Sequence, residues 1–457
     1  MDVLEYVKKV KKEELDVEDS IRKILIEAKK VNKEYNYFNV ISEDLALEQV
    51  KNFNKKGMLA GVPVSVKDNV CVKGVESTAG SKILKGYKPT FNAFAVQRII
   101  GEGGIIIGKT SQDEFGFGSF SVNVGIDFKI PKNPFDKGRV TGGSSGGSGG
   151  WTAITKNPHI SLGESTGGSI EAPASFCGVV GLCPTYGLVS RYGLIDYASS
   201  LDKMGPMAKT VDEAFLMLDV IKGHDERDST SLKNINEENG DVKKIGLIKE
   251  SKDVDSDVLS VVEKKLEDFG VEEVSLPLVM KYGVPTYYLI AMSEASTNLA
   301  RYCGIRYGAE EDLKGEGFDQ YFSRVRSNNF GLEAKRRVML GTFARMAGYR
   351  DAYYVKATKV REMIIDEYKK ALSKYDVLVS PTMSTIAPKF SEVDKLSPLQ
   401  NYMMDALTAG PNLAGMPHMS INAGFVDKMP VGMMFIADHL KEEKLRTVGK
   451  KVDDGSN

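Results

Sequence analysis

Thr141-Gly142-Gly143-Ser144-Ser145-Gly146-Gly147-Ser148 and Gly163-Glu164-Ser165-Thr166-Gly167-Gly168-Ser169-Ile170 are two glycine- and serine-rich stretches on either side of one short span. Glycine admits positive φ and lets other atoms come close, so each stretch can hold a serine hydroxyl on a tight turn with free N–H groups beside it. Those are the parts of a nucleophile and an oxyanion hole. A flexible linker has the same composition. The flanks favour turns between packed elements. Ile160-Ser161-Leu162 reads as a short buried strand entering the second stretch, and Ile170, Ala172, Ala174 and Phe176 make an apolar segment leaving it. A linker would be polar on both sides.

Around these turns lie 457 residues, 42% of them hydrophobic, enough for a substantial core. The 61 basic and 62 acidic side chains nearly cancel, which argues against direct sequestration of nucleic acid or coating of an anionic membrane. No run of 18 apolar residues occurs, and Met1-Asp2-Val3-Leu4-Glu5 lacks the basic and apolar parts of a signal peptide, so a cytoplasmic location without membrane contact is expected. Cys71, Cys177, Cys183 and Cys303 are too few and too irregularly spaced for a disulfide framework or a zinc pair. Free thiols and no metal site are the expectation.

Residues 1–57 read as a helical segment, with Ile21, Ile24, Leu25, Ala28 and Val31 at helical spacing. At Gly61-Val62-Pro63-Val64-Ser65-Val66 the period changes to two, and this strand delivers Lys67 at its end. Ala93, Val96, Ile99 and Ile100 form a helical face, followed by the buried strand Gly104-Ile105-Ile106-Ile107-Gly108. Thr210-Val211-Asp212-Glu213 is a capping box opening a further helix. Residues 224–243 read as a polar connection, and about 251–375 as a helix-rich part that covers the site. A last helix is expected from Asn401 to Leu413, before strands near Met419-Ser420-Ile421 and Gly432-Met433-Met434-Phe435-Ile436. The alternation predicts an α/β fold: one large domain over 58–457 whose mixed central sheet is covered by helices on both faces.

Ser-His-Asp catalysis needs a histidine, and none of His159, His224, His418 and His439 lies in a glycine-rich turn; His159, near the second stretch, is the one alternative base. Lys67 is the better candidate. In a partly apolar pocket its charged form would lose solvation, fitting it to act as a base near neutrality. No phosphate-cradling glycine loop occurs in a suitable context, so nucleotide binding by this chain is not expected.

Val66-Lys67-Asp68-Asn69, the Gly142 to Ser148 stretch, Thr166-Gly167-Gly168-Ser169-Ile170 and Pro173-Ala174 together resemble the amidase signature family. The motifs fall between residues 67 and 191, and the likeness extends through Ser293-Glu294-Ala295-Ser296, Lys335-Arg336-Arg337 and Asn412-Leu413-Ala414-Gly415. Within the family the pattern is most similar to the A subunits of glutamyl-tRNA(Gln) amidotransferases. The resemblance implies Ser169 as nucleophile, Lys67 as base and Ser144 as the relay serine held by a cis peptide, with Thr166, Gly167, Gly168 and Ser169 offering the oxyanion hole. Counting back from Ser169 makes Ser145 the other choice of relay. Tyr287, Arg337 and Asp405 match the positions that bind glutamine. The activity implied is glutamine hydrolysis by a serine, cis-serine and lysine amidase, a carbon–nitrogen ligase component whose ammonia amidates Glu-tRNA(Gln), and also Asp-tRNA(Asn) in some systems. No cofactor is implied in this chain. ATP and Mg belong to a tRNA-binding kinase component, the B subunit, and a small C subunit completes a heterotrimer that reaches tRNA. A stand-alone amidase for another small carboxamide and an inactive scaffold are the rival readings. Three departures from the family pattern stand out: Ser165 and Cys303 replace aspartates, and Glu171 replaces an arginine. The tail Val448 to Asn457 is expected to depart from an apolar helix.

Overall fold

The computed structural model describes residues 1–233 and 240–454. Eleven strands share one sheet: β1 (Phe38–Ile41), β2 (Pro63–Lys67), β3 (Ile105–Thr110), β4 (Ile160–Ser165), β5 (Val180–Cys183), β6 (Lys203–Ala208), β7 (Ile245–Ile248), β8 (Glu272–Val274), β9 (Val377–Pro381), β10 (His418–Val426) and β11 (Met429–Ala437). Their order across the sheet is β1-β3-β2-β4-β6-β5-β10-β11-β9-β7-β8. The sheet is mixed, with β2 parallel to both β3 and β4 and β10 antiparallel to β11. Continuous apolar strands of this kind form where both faces are covered. In β11, Met433 and Phe435 enter one hydrophobic cluster while Met434 and Ile436 enter another, which is the alternation that two covered faces require. The first cluster takes helices 17–35, 94–101, 211–221 and 256–266. The second takes the long helices Pro277–Asn298 and Lys356–Leu372, which with Leu332–Arg345 form a cap.

Three expectations change. Residues 1–57 are not wholly helical, because Phe38–Ile41 pairs antiparallel with β3 and forms one edge of the sheet, so the N-terminal segment is part of the same domain. The single helix expected over 401–413 is two, Pro398–Met403 and Ala409–Ala414. In a continuous helix the Pro411 ring would meet the carbonyl of residue 407, so the chain restarts instead and leaves Asp405 on the break. The C-terminal segment is a helix, Glu442–Asp454, burying Leu445, Val448 and Val452 on one stripe. Residues 234–239 of the polar 224–243 connection and residues 455–457 of the tail lie outside the described residues.

The parallel pairing of β2 with β4 is what builds the site. Val64 is opposite Ile160 and Val66 opposite Leu162, so the carboxyl ends of the two strands bring Lys67 beside Glu164 and the turn that follows. A crevice at the carboxyl ends of parallel strands is the usual place for a ligand in an α/β sheet.

Candidate active site

Lys67 is completely buried, and its Nζ lies 2.7 Å from Ser144 Oγ, 2.8 Å from the Glu164 carbonyl and 2.8 Å from Glu164 Oε2. The partly apolar pocket expected for this lysine is therefore a polar one, with a carboxylate in contact. The Gly143–Ser144 peptide is cis. Ser145 turns elsewhere: its hydroxyl donates to the Glu164 carbonyl at 3.1 Å and its N–H donates to the Ser169 carbonyl at 3.1 Å, tying the two glycine-rich turns together. Ser169 is 6% exposed, the end of the arrangement open to a ligand. Its hydroxyl makes no hydrogen bond to another described residue.

The turn from Thr166 to Ser169 is organised by Ser165. The Ser165 hydroxyl accepts the N–H groups of Gly168 at 3.2 Å and Ser169 at 2.9 Å, and donates to Glu171 Oε2 at 2.9 Å. Two of the four expected oxyanion donors are thus engaged with Ser165, leaving the N–H groups of Thr166 and Gly167 as the donors of the turn that this side chain does not take up. Gly167 cannot carry a side chain, since a Cβ there would run into the Tyr287 ring. The Thr408 hydroxyl fixes the same turn by donating to the Gly167 carbonyl at 2.7 Å.

Tyr287 and Arg337 come from the cap, and Asp405 from the break between helices 398–403 and 409–414. Arg337 is 2% exposed, donates from Nε to Glu333 at 2.8 Å and from a terminal nitrogen to the Tyr197 hydroxyl at 2.6 Å, and lies 5.1 to 5.6 Å from the ring centroids of Phe117, Tyr197, Tyr288 and Tyr402. Such a cage holds a guanidinium electrostatically while removing water from it. Asp405 accepts from Ser119 Oγ and from the Tyr288 hydroxyl, each at 2.6 Å. Burial pushes its carboxyl up to about 6, with those two hydrogen bonds and the charge of Arg337 opposing the rise. Tyr287 and Tyr288 pack edge to face. Arg337 and Asp405 thus set a cation and an acid against the same aromatic side chain, Tyr288.

Sequence reasoning missed Glu164, Ser119, Tyr197, Tyr288 and Glu333. Glu164 and Tyr288 adjoin predicted residues, but nothing local marks where their side chains lead. It also missed the group Glu171, Cys183 and His418, fully buried, whose donor atoms lie within 4.8 Å of one another and could converge on an ion. Glu171 Oε1 is in contact with His418 Nε2, while His418 Nδ1 lies 2.8 Å from the Met416 carbonyl. Burial alone would raise the Glu171 carboxyl, but the imidazole, together with Lys203, holds it down to about 2, and burial keeps Cys183 a neutral thiol. Ser165 and Glu171, two of the departures from the family pattern, are therefore one hydrogen-bonded unit. Cys303, the third, lies partly exposed beyond the 299–301 turn. His159, the alternative base, bonds the Ser65 N–H at 3.2 Å and stacks edgewise on Trp151 within the core, where burial lowers its affinity for a proton.

The chain matches the amidase family over residues 19–445. It is 44% identical to the A subunit of a glutamyl-tRNA(Gln) amidotransferase from Archaeoglobus fulgidus, over 91% of this chain and 92% of that protein. A protein of the same name from Methanosarcina mazei is also 44% identical, over 97% and 94%. Among solved structures, the crystal structure of the glutamyl-tRNA(Gln) amidotransferase A subunit from Thermotoga maritima superposes with a TM-score of 0.76 at 36% identity, covering 94% of this chain and 92% of that one. With the match running through the sheet, both glycine-rich turns and the cap, this chain belongs to the amidase family.

Proposed function

We propose that this chain hydrolyses the side-chain amide of glutamine as the A subunit of a glutamyl-tRNA(Gln) amidotransferase. The observation that carries the reading is the 2.7 Å contact between Lys67 Nζ and Ser144 Oγ, set directly behind the turn that presents Ser169. Ser169 is the nucleophile, Ser144 the relay and Lys67 the base. As Ser169 Oγ bonds to the carboxamide carbon, its proton passes to Ser144 and the proton of Ser144 passes toward Lys67. The carbonyl oxygen becomes an oxyanion facing the Thr166 and Gly167 N–H groups. Collapse returns the proton to nitrogen, releases ammonia and leaves an ester at Ser169, which water cleaves by the same route. Arg337 receives the α-carboxylate, Asp405 the α-ammonium, and Tyr287 closes the wall beside the turn.

The ammonia is used elsewhere in the assembly. A companion B subunit binds tRNA and activates the misacylated aminoacyl group with ATP and Mg, and a small C subunit completes the complex. The near-neutral charge of this chain suits a member that leaves tRNA to its partners. Among the described residues no helix is long and apolar enough to cross a membrane. The test is ammonia release from glutamine by the complex purified from its native source, with trapping of a Ser169 adduct by an electrophilic glutamine analogue. Ammonia and an adduct are expected. A complex that binds Glu-tRNA(Gln) yet releases no ammonia and traps nothing at Ser169 overturns the reading, whereas hydrolysis of simple carboxamides in preference to glutamine makes the chain a stand-alone amidase. Presenting Asp-tRNA(Asn) to the same complex shows whether it is a second acceptor.

A further inference from the structure

Three acceptors surround Lys67 Nζ: Ser144 Oγ, the Glu164 carbonyl and Glu164 Oε2. Three acceptors around one nitrogen satisfy the three donors of an ammonium. An ammonium cannot take a proton from Ser144 unless it gives one up, and one contact leads to a group that can receive it. Glu164 Oε2 sits 2.8 Å from Nζ, with both side chains at most 1% exposed, and Asn69 Nδ2 donates to the same oxygen at 3.0 Å. Thr166 Oγ1 lies 2.8 Å from Glu164 Oε1 and 2.8 Å from Asp202 Oδ1, so a hydroxyl from the oxyanion turn joins the two carboxyl groups. Burial and the charge of Glu164 push Asp202 well above the usual carboxylate range, with the Ala198 N–H and the Thr166 hydroxyl opposing the rise. The other titratable groups whose charge reaches this pair are Asp196 and Cys183 on the Glu164 side, and Asp113, pushed up to about 7 by burial, on the Lys67 side. Gly116, at φ +83°, borders the pair: a Cβ there would make ordinary contact with Ser144 Oγ at 3.5 Å and Glu164 Oε2 at 3.6 Å.

We infer that Glu164 is the positioning residue that holds the proton for Lys67 during amide cleavage, an inference that rests on the glutaminase reading given above. In the attack, the Ser169 O–H bond breaks as Ser169 Oγ bonds to the carboxamide carbon and the carbonyl electron pair moves to oxygen. The Ser169 proton goes to Ser144, the Ser144 proton to Lys67 Nζ, and one Lys67 proton to Glu164 Oε2. On collapse each transfer reverses: Glu164 returns its proton to Lys67, the wire delivers one to the departing nitrogen, the C–N bond breaks and ammonia leaves. Lys67 stays an ammonium at each resting point, so the reaction does not wait for free amine.

The experiment is the pH dependence of glutamine hydrolysis by the purified complex, for the native protein and for Glu164→Gln and Glu164→Asp. In Glu164→Gln the base must be the free amine. Its rate at neutral pH is expected to fall on the order of a hundredfold, with the acid limb of kcat moved to higher pH and much of the rate regained in alkali, while Glu164→Asp restores the native limb. An acid limb in Glu164→Gln at the native position overturns the inference. A second measurement needs no variant. With a carboxylate as the final proton acceptor, the native acid limb is expected to stay in place between 15 and 35 °C; a limb that moves to lower pH on warming, as an ammonium's does, also overturns it. Failure of the native complex to release ammonia at any pH would instead remove the glutaminase reading itself.

Discussion

In the turns at 141–148 and 163–170 every residue is buried, whereas the cap that carries Arg337 and the adjoining 398–414 segment that carries Asp405 expose Leu332, Met339, Leu340, Phe343, Leu399 and Met403. The turns sit at the ends of paired strands, and their position is over-determined by register, by glycines with no room for a Cβ, and by side chains such as Ser165 and Thr408 that bond their backbone. An apolar cleft of about 660 Å³ runs along the outside of the cap, with Tyr288 and Tyr402 as a shared wall between that cleft and the recess of Arg337. On the proposed reading, bond-making is anchored on the sheet, where ångström precision counts, and recognition of the substrate's ends is hung from the covering helices. The two regions should separate under mutation: damage to the turns removes kcat, and damage to the cap removes binding and selectivity.

The largest expected effect breaks the chemistry alone. Ser169→Ala is expected to lower kcat by about 10⁴ or more while glutamine still binds, checked by single-turnover hydrolysis alongside calorimetric titration of glutamine. If glutamine binding vanishes with the hydroxyl, turn and cap are not separable. Arg337→Ala is the converse. On the proposed reading it removes the cation for the α-carboxylate, and it takes one of two arginines from Glu333, which keeps Arg336 and the Tyr402 hydroxyl, so a stability loss of about 1 to 3 kcal/mol is expected. Thermal unfolding should show that loss, and ammonia assays should show that simple carboxamides now compete with glutamine. Retained preference for glutamine would place recognition elsewhere.

An intermediate effect concerns the pair that anchors the nucleophile turn from behind. The Glu171 carboxyl is held at about 2 against an ordinary 4.5, so its contribution to stability is present above about pH 4.5 and is lost as pH falls toward 2. His418→Ala should make acid unfolding begin at higher pH, since Glu171 then loses the imidazole that lowers it. An unchanged midpoint would show that Lys203 and the Ser165 hydroxyl suffice.

The same division governs what was legible in the sequence. Lys67 and the two serine-bearing turns were readable as candidates because each sits in a short motif whose backbone demands are local: a strand end, a tight turn, glycines where atoms crowd. The choice between Ser144 and Ser145 was not readable, because adjacent serines differ only in the direction the backbone sends them, and only Ser144 points at Lys67. Glu164 was hidden for another reason. Alternation along β4 says which face it takes, but its partner on β2 depends on a parallel register spanning almost a hundred residues. The strand at 38–41 escaped because four residues between two helices carry too little periodicity to show. The ring of Phe117, Tyr197, Tyr288 and Tyr402 around Arg337 draws on four separate segments, and nothing short of the folded chain assembles it.

The smallest effect sharpens the comparison most, because it reads the cap without altering a residue. With burial pushing its carboxyl up to about 6, Asp405 is expected on the proposed reading to offer a carboxylate to the substrate ammonium above that pH and a neutral acid below it. The α-ammonium of glutamine stays charged throughout this range, so only the protein partner changes. Glutamine affinity should therefore be flat above pH 7 and weaken about tenfold by pH 5, one unit below the midpoint, in line with 1.36 kcal/mol per unit. Measuring this by calorimetry on Ser169→Ala keeps the proton wire out of the result, since no bond is cleaved. Asp405→Asn in the same background should bind weakly and without pH dependence. If that double variant still loses affinity as pH falls, the titrating group is another of the buried carboxyls, and Asp113, pushed to about 7 on the sheet side, becomes the one to replace. The boundary between the two regions would then run through the substrate recess itself, with the turns contributing to recognition as well as to chemistry.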